Sequence, residues 1–404
     1  MKILSVVYVA SILATFTSSL VAKEEISVMA DPQNCVACHD DLHSDWSNSL
    51  HAKSHENSSE LYKKAVELVA QESNQVYESV LVSCGTCHNP RLETKSVSDE
   101  VALASVFGIE TNETKELEEN FNAQSVKNGI SCFVCHNVEN VKPRSNPLQN
   151  GYHLFDWATN DLIIGPYDLK DEEPIFHASE ERAHFRSNND LCLACHQGQA
   201  TKSKHSTYNT GAEMYSVSSP DLCIECHMKN HKTEVIAPDI ERKNMVKREI
   251  KSHFFEGARN SDILKTSAQL SFTQTGDNQA SLFVKNLIPH GIPSGFSGRS
   301  LVFDISYLDG ENVLGTHKVD FRVSYKNSLL VETLSYAAKT KVSDTRLKPY
   351  EKREIKLNLP QNTKTIKVSV GYYVLAPQLQ EILKIKSEEF TKRYEVANKT
   401  FDIK

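Results

Sequence analysis

The 404-residue sequence has no long apolar run beyond its first 22 residues, so no later segment is predicted to cross a bilayer. It also lacks a basic excess, since the formal charge is −7 and Lys and Arg are scattered rather than clustered. A nucleic-acid-binding surface needs concentrated positive charge, so DNA and RNA are not expected partners. Unpaired cysteine is absent as well, because each of the ten cysteines belongs to a closely spaced pair.

The first 22 residues have the features of an export signal. A single Lys2 precedes an apolar stretch from Ile3 to about Phe16, and small residues follow up to Ala22. This order is typical of a secretory signal peptide, so residues 1–22 are expected to be removed and the mature protein to be periplasmic or otherwise exported. The alternative is a retained membrane anchor, for which the apolar stretch is short.

The ten cysteines form five Cys-x-x-Cys-His motifs. The motifs are Cys35, Cys38 and His39; Cys84, Cys87 and His88; Cys132, Cys135 and His136; Cys192, Cys195 and His196; and Cys223, Cys226 and His227. Two thiols at this spacing can bond to the two vinyl groups on one edge of a haem, and the next residue then offers an imidazole to the iron. Disulfides or zinc sites are the competing interpretations, but neither requires a histidine directly after every second cysteine. The pattern therefore predicts five covalently bound haem c groups.

The remaining histidines decide what such haems could do. A haem with two axial histidines has no open position and suits electron transfer, whereas a haem with an open position can bind a substrate. His153 follows the third motif in an aromatic setting that fits a ligand or an ordinary core equally well. His43 and His231 each follow a motif histidine by four residues, so on a continuing helix they would face the same side as that histidine. They could not then reach the opposite face of the same haem, and they are expected to be exposed to solvent or to bind propionates. His290 lies between two prolines and is expected in a turn, the alternative being a ligand that reaches a haem from the β domain.

The chain is predicted to be multidomain, with a division near residue 260. Successive motifs are 49, 48, 60 and 31 residues apart, counted between their first cysteines, which leaves little room for an ordinary core. Residues 23–260 are therefore expected to form a pentahaem cytochrome c domain of mainly α and coil structure folded around its porphyrins. Apolar periodicity predicts one helix over about residues 59–81, and a second, acidic helix over about residues 113–121.

After residue 261 the pattern changes to β-type alternation. Apolar residues alternate over residues 270–272, 301–307, 319–325, 355–359 and 366–372, and Asp309-Gly310 marks a turn. Several short strands with turn signals predict an all-β immunoglobulin-like sandwich over residues 261–375. In residues 376–404, charged residues alternate with Leu383, Ile385 and Phe390, which predicts one C-terminal amphipathic helix packed on the sandwich.

Four segments carry a family resemblance. They are Trp46, Ser49, His51 and Ala52 after the first motif; Cys226, His227 and Met228; residues 252–258; and residues 286–295, where Pro289 and Ser294 depart from the family pattern. Together they resemble multihaem cytochromes related to the tetrahaem electron carrier of nitrifiers, with hydroxylamine oxidoreductase and the pentahaem nitrite reductases as more distant relatives. The resemblance covers most of the chain from about Asp31 to the β domain.

The resemblance implies further iron ligands. It implies distal ligands at His51 and His253, and another at His177 or His184, of which His177 is preferred. Outside the motifs the sequence has eleven histidines, among them His153, and this supply is sufficient for five haems that each have two histidine ligands, which favours an electron carrier. The family includes both carriers and enzymes, but the sequence has no Cys-x-x-Cys-Lys motif, and this counts against the pentahaem nitrite reductases.

We therefore expect a periplasmic pentahaem cytochrome that carries electrons between redox proteins, such as a quinol-oxidising membrane cytochrome and a terminal reductase or a dehydrogenase. The alternative is an oxidoreductase that acts on a small nitrogen or sulfur compound, such as nitrite, hydroxylamine or tetrathionate, at one haem with an open position. Loss of residues 1–22 removes one Lys and no acid, which makes the formal charge −8. Haem propionates add negative charge, so basic partner surfaces should be attracted.

Overall fold

The computed structural model describes residues 27–146, 149–173, 176–197, 205 and 208–404. The predicted signal peptide lies outside the described residues. Within the described part of the chain, no helix combines the length and the apolar character needed to cross a membrane.

Short helices joined by loops make up the first part of the chain. The α-helices are α1 (Asp40–Ser47), α2 (Glu60–Ser73), α3 (Tyr77–His88), α4 (Asp99–Phe107), α5 (Asn112–Phe121), α6 (Gln124–Lys127), α7 (Cys132–Cys135), α8 (Asp190–His196), α9 (Thr210–Ser216), α10 (Cys223–His227), α11 (Ser261–Ser267), α12 (Pro377–Leu383) and α13 (Glu388–Thr391). The acidic helix expected near residues 113–121 is confirmed as α5.

The prediction of a single helix over residues 59–81 is wrong, because the structure has two helices there. The side chain of Ser59 caps the start of α2 by accepting the Tyr62 backbone N–H. Asn74 ends α2 in the left-handed conformation, at φ 54°, and asparagine tolerates this conformation better than most residues. The apolar pattern continues across the break, which is why periodicity alone does not reveal it. The break redirects the chain so that α3 ends in the second Cys-x-x-Cys-His motif.

In the described residues, the strands form three small pairs and two larger sheets. The strands are β1 (Val138–Val141), β2 (Phe155–Trp157), β3 (Ile163–Gly165), β4 (Ser179–Glu181), β5 (Asn230–Val235), β6 (Lys247–Lys251), β7 (Ala268–Gly276), β8 (Gln279–Asn286), β9 (Ser300–Asp309), β10 (Asn312–Lys326), β11 (Glu332–Thr333), β12 (Thr340–Asp344), β13 (Lys352–Asn358), β14 (Thr365–Tyr373) and β15 (Arg393–Asp402). The pairs β1–β2 and β5–β6 are antiparallel, and β3–β4 is parallel.

Two antiparallel sheets form the β domain that the alternation predicts. One has the order β11-β10-β9-β14-β15, with β12 also paired to β10, and the other has the order β13-β8-β7. Side chains from both sheets share one hydrophobic core, which includes Leu282 of β8, Phe303 of β9, Leu357 of β13 and Ile366 of β14. Every strand expected from alternation is present, whereas β8, β11, β12 and β15 were not expected.

The single C-terminal helix predicted within residues 376–404 is wrong. The segment forms α12 and α13, and then β15 pairs with β14. Lys384, at φ 54°, ends α12 in the left-handed conformation. Leu383 and Phe390 are buried in the β-domain core, so the apolar residues were correctly expected to pack on the sheets. Tyr394 and Val396 are buried while Glu395 between them is exposed, and this period of two is that of a strand.

The helical part packs directly against the β domain. Leu61, Ala65 and Leu68 of α2 contact the β-domain core. Glu72 near the end of α2 accepts a hydrogen bond from Asn327 Nδ2 at 2.8 Å. Arg259 and Lys53 both pair with Glu389 of α13, at 2.6 and 2.9 Å. These contacts hold the sheets against one side of the motif-bearing helices.

Candidate multihaem centre

One continuous cavity of about 2710 Å³ contains all ten cysteines and all five motif histidines in its wall. A cavity for one small ligand usually measures about 300–1,000 Å³. This cavity is therefore large enough for several bulky ligands. None of the ten thiols forms a disulfide, so all are available for thioether bonds.

Each motif lies on a helical turn or next to one. The second, fourth and fifth motifs end α3, α8 and α10, and the third forms α7. The first motif begins at the last residue of a short 3₁₀ turn and ends just before α1. Residues three positions apart share one face of a helical turn. The two thiols of each motif therefore face the cavity together, as attachment to one porphyrin edge requires.

Contacts between thiols show which motifs are neighbours. Three contacts join cysteines of different motifs: Cys35 with Cys132, Cys87 with Cys195, and Cys192 with Cys223. These contacts place the first motif beside the third, and both the second and the fifth beside the fourth. Cys195 also lies close enough to Cys135 to help burial raise the pKa of the Cys135 thiol, which places the third motif beside the fourth. Cys226, in the fifth motif, is the exposed member of the ten.

Four motif histidines face a second histidine across the cavity. The ring centroids are 6.5 Å apart for His39 and His177, 6.1 Å for His51 and His196, 6.2 Å for His136 and His253, and 6.2 Å for His227 and His290. Nitrogen-to-metal bonds of about 2 Å place two imidazoles on opposite sides of one metal ion with ring centres roughly 6 Å apart. The four spacings therefore fit an iron between each pair. The angles between ring planes vary, as rotation about a shared axis permits.

Hydrogen bonds donated by Nδ1 fix the direction of the rings in two of these pairs, His136 with His253 and His227 with His290. His136 Nδ1 donates to the carbonyl of Ile164 at 2.7 Å, and His253 Nδ1 to that of Lys251 at 3.0 Å. His290 Nδ1 donates to the carbonyl of Gly291 at 3.0 Å, and His227 Nδ1 to that of Glu256. This arrangement leaves Nε2 unprotonated and able to coordinate a metal, as in other metal-binding histidines.

Burial favours the neutral form of four imidazoles in the cavity wall. It lowers the pKa of His51, His88 and His253 to about 4, and that of His196 to about 3. A metal ion binds the neutral ring, so the ligands need not lose a proton at neutral pH.

His88 of the second motif differs from the other four motif histidines. Among the described residues, no ring contact joins it to a second histidine. Its ring instead stacks on Tyr62 at 4.4 Å, and its Nδ1 lies 2.8 Å from the hydroxyl of Ser54. The Tyr62 hydroxyl is buried without a hydrogen-bond partner among the described residues.

The structure also locates the remaining histidines considered as ligands. The ring of His153 contacts that of Tyr152 in a tilted arrangement, with centroids 4.1 Å apart, and His153 does not line the cavity. His184 lines the cavity and contacts Phe185, whose ring also stacks on His136 at 5.2 Å. His290, which the sequence placed in a turn, also faces His227. The side chain of His231 lies outside the described residues.

Two arginines could hold the propionates of such haems. Arg242 and Arg299 line the cavity, and in each the Nε atom is buried without a partner among the described residues. The guanidinium of Arg299 lies close enough to His196 and His290 to influence both rings. Guanidinium groups bind carboxylates with two parallel hydrogen bonds. Thiols, paired imidazoles and these cations together fit haem c.

Comparisons with known proteins show a likeness in fold to a solved structure. No protein-family model matches the chain, and no curated protein matches its sequence. The chain is similar to the crystal structure of a penta-haem cytochrome c552 from Thermochromatium tepidum, with a TM-score of 0.71 and 19% sequence identity. The alignment covers 92% of this chain and 98% of that one. The two proteins therefore share a fold over nearly their whole lengths.

Proposed function

We propose that the protein is an exported pentahaem c-type cytochrome that transfers electrons between redox proteins. The four histidine pairs in one cavity are the observation that carries this proposal. Iron held by two histidines has no open position and changes little in geometry on reduction, so it suits electron transfer. The fold shared with a penta-haem cytochrome supports the same proposal independently.

The thiol contacts support a continuous electron path. The first motif contacts the third, the third lies beside the fourth, and the fourth contacts the fifth. Such a path would run from the first motif to the fifth, where Cys226 is exposed. The second motif would form a side branch from the fourth, through Cys87 and Cys195.

Several finer features belong to the same proposal. Residues 1–22 would direct export, and the partners would be a quinol-oxidising membrane cytochrome on one side and a terminal reductase or a dehydrogenase on the other. The two-sheet β domain would be an immunoglobulin-like sandwich. It would contribute His290 as an iron ligand to the fifth haem. A relationship to the tetrahaem carrier of nitrifiers would explain the segments around His51 and His253.

Mass spectrometry and spectroscopy of the purified protein test the proposal. The mature chain should carry the mass of five haems, and optical and paramagnetic spectra should show four low-spin haems with two histidine ligands each. All haems should be reduced by dithionite and reoxidised by a protein acceptor. A mass equal to that of the bare polypeptide would contradict the proposal.

A second candidate function follows from His88. Since no histidine faces it among the described residues, the second haem could keep an open position and bind a small compound such as nitrite or hydroxylamine. Cyanide should then bind one haem per chain and convert a high-spin signal to low spin. Turnover with a reduced dye should also be observed. Five low-spin haems that bind no cyanide would exclude this function and leave electron transfer.

A further inference from the structure

Most of the net negative charge of the chain lies in one helical hairpin. Residues 99–121, here called the acidic hairpin, include α4 and α5. They contain seven acidic residues and one lysine, a charge of −6 in a chain whose total is −7. All seven carboxylates are exposed: Asp99, Glu100, Glu110, Glu113, Glu116, Glu118 and Glu119. Among the described residues, Glu110 pairs with Lys115 of the same hairpin at 2.9 Å, and no other ion pair of these acids is found.

The same hairpin exposes an apolar surface. Leu103, Val106 and Phe107 are 60, 64 and 68% exposed, and their spacing places them on one face of α4. Ile109, just after the helix, is 56% exposed. The other face of α4 is already used, because Val101 and Ala104 are buried. A helix that is apolar on two faces is expected to be covered on both, and a contiguous exposed apolar patch marks an interaction site.

The acidic hairpin is mounted on the helix that carries the second motif. Val101 of α4 and Leu117 and Phe121 of α5 share a core cluster with Val80 and Leu81 of α3. Cys84, the first cysteine of that motif, packs against the same cluster. A protein bound to the acidic hairpin would therefore lie next to the helix of the second haem.

The charge selects the occupant among three possibilities. A bilayer surface that carries anionic lipids would repel seven carboxylates. A second copy of this chain would place like charges against each other, which costs several kcal/mol. A protein with a basic surface around an apolar centre would satisfy both the charge and the apolar face.

We propose that the acidic hairpin is the docking surface for a basic redox protein that exchanges electrons with the second haem. The inference rests on the proposed electron-transfer function and adds a site and a partner chemistry to it. Carboxylates would steer the partner during approach, and Leu103, Val106 and Phe107 would form the contact once it is bound.

Stopped-flow electron transfer to a lysine-rich monohaem cytochrome c tests the proposal. The probe is mixed with the dithionite-reduced holoprotein at ionic strengths from about 0.01 to 0.5 M, a range over which screening of exposed charges becomes nearly complete. The rate constant of the wild type should fall at least about tenfold over this range. The double variant Glu116→Lys/Glu119→Lys should be slower by about the same factor at low salt and should lose most of the salt dependence.

Matched substitutions elsewhere separate this site from a general charge effect. Asp277→Lys/Glu311→Lys makes the same charge change at two exposed turns of the β domain and should leave the rate constant nearly unchanged. Phe107→Ser should lower the rate constant with the salt dependence retained, whereas Val313→Ser, at a residue exposed to 61%, should have no effect. Haem spectra and melting temperature of each variant verify that it is folded.

Three results would overturn the inference. One is an equal response of the hairpin variants and their controls. The others are binding of the wild type to vesicles of anionic phospholipid, and a concentration-dependent dimer in sedimentation that Phe107→Ser abolishes. If the wild type accepted no electrons from dithionite, the proposed function itself would fail. Electron transfer that is normal but indifferent to the hairpin would reject the docking site alone.

Discussion

The histidine that faces His227 comes from the β domain and not from the motif-bearing helices. His290 lies in the loop after β8, and its backbone carbonyl accepts a hydrogen bond from Asn286 Nδ2 at 2.7 Å. Ile292 of the same loop exchanges two backbone hydrogen bonds of 2.9 Å with Leu347. These protein contacts alone fix the loop, so the ring of His290 has a defined position.

Replacing His290 with alanine should change the coordination of one haem. Loss of the ring would leave His227 without its counterpart, and the fifth haem should become high spin or bind water. Paramagnetic resonance should record one low-spin signal fewer than in the wild type. His153→Ala is the matched control, because His153 contacts Tyr152 outside the cavity wall and its removal should preserve every signal.

Glu213 holds the loop of His290 from the other side. Its Oε2 accepts hydrogen bonds from the Gly291 N–H at 2.9 Å and the Ser294 hydroxyl at 2.7 Å. Its Oε1 pairs with Arg346 at 3.0 Å. One carboxylate on α9 thus joins the helical part to two segments of the β domain.

Glu213→Gln should loosen this loop. A hydrogen bond to a charged group contributes about 1.5–3 kcal/mol, and the variant loses the charge while it keeps the shape. The free energy of unfolding should fall by about 1–3 kcal/mol. In a fraction of the molecules, the fifth haem should become high spin. Denaturant unfolding and paramagnetic resonance measure the two effects, and Glu311→Gln at an exposed turn is the control. A stability loss with unchanged spin states would separate the structural role of Glu213 from any influence on His290.

At the scale of single residues, the sequence predicts the haem-attachment motifs better than it predicts which distant histidines face each other. The spacing within each Cys-x-x-Cys-His motif is a property of one helical turn, so ten thiols and five proximal histidines are predictable. His290 was expected in a turn because it lies between two prolines, and nothing local shows that the turn faces a cavity. The pairing of His227 and His290 depends on how the β domain packs against α9 and α10.

At the scale of elements, β15 completes the larger sheet. Its residues Arg393–Asp402 pair with β14 along nearly the full length of both strands. Tyr394 and Val396 point into the shared core, while Glu395 and Lys399 face solvent. Without β15, β14 would be an unpaired edge with exposed backbone groups.

Substitutions along β15 should show a period of two. Val396→Ala removes two methyl groups from a side chain that is 2% exposed, and it should lower the free energy of unfolding by about 1–3 kcal/mol. Glu395→Ala and Lys399→Ala should change it by less than about 0.5 kcal/mol. Denaturant unfolding measures all three. Equal losses at Val396 and Lys399, which are three residues apart, would instead indicate a helix.

Alternation predicted the strands with one buried face well, because the period of the pattern is that of the strand. It missed β15 since α12 and α13 precede it closely and their apolar residues merge with the pattern of the strand. The helical periodicity, in turn, predicted one helix where α2 and α3 are separate, because Asn74 breaks the helix without interrupting the apolar repeat. Both errors arise where two elements adjoin without a proline or glycine between them.

At the scale of the whole molecule, the two parts differ in what fills their interiors. The β domain has a large continuous core of its own side chains. The motif-bearing part has two small clusters, and most of its interior is the cavity of about 2710 Å³. Porphyrins would supply the apolar contacts that this part lacks, so its folding should depend on haem attachment.

Expression without haem maturation should therefore separate the two parts. In the haem-free chain, residues 261–404 should resist limited proteolysis, while residues 23–260 should be digested, since their buried surface is too small to offset the conformational entropy of folding. Mass spectrometry of the surviving fragment measures the boundary. A haem-free chain that resists digestion throughout would show that protein contacts alone stabilise the helical part. In that case the cavity would be preformed, and haem would enter an already folded site.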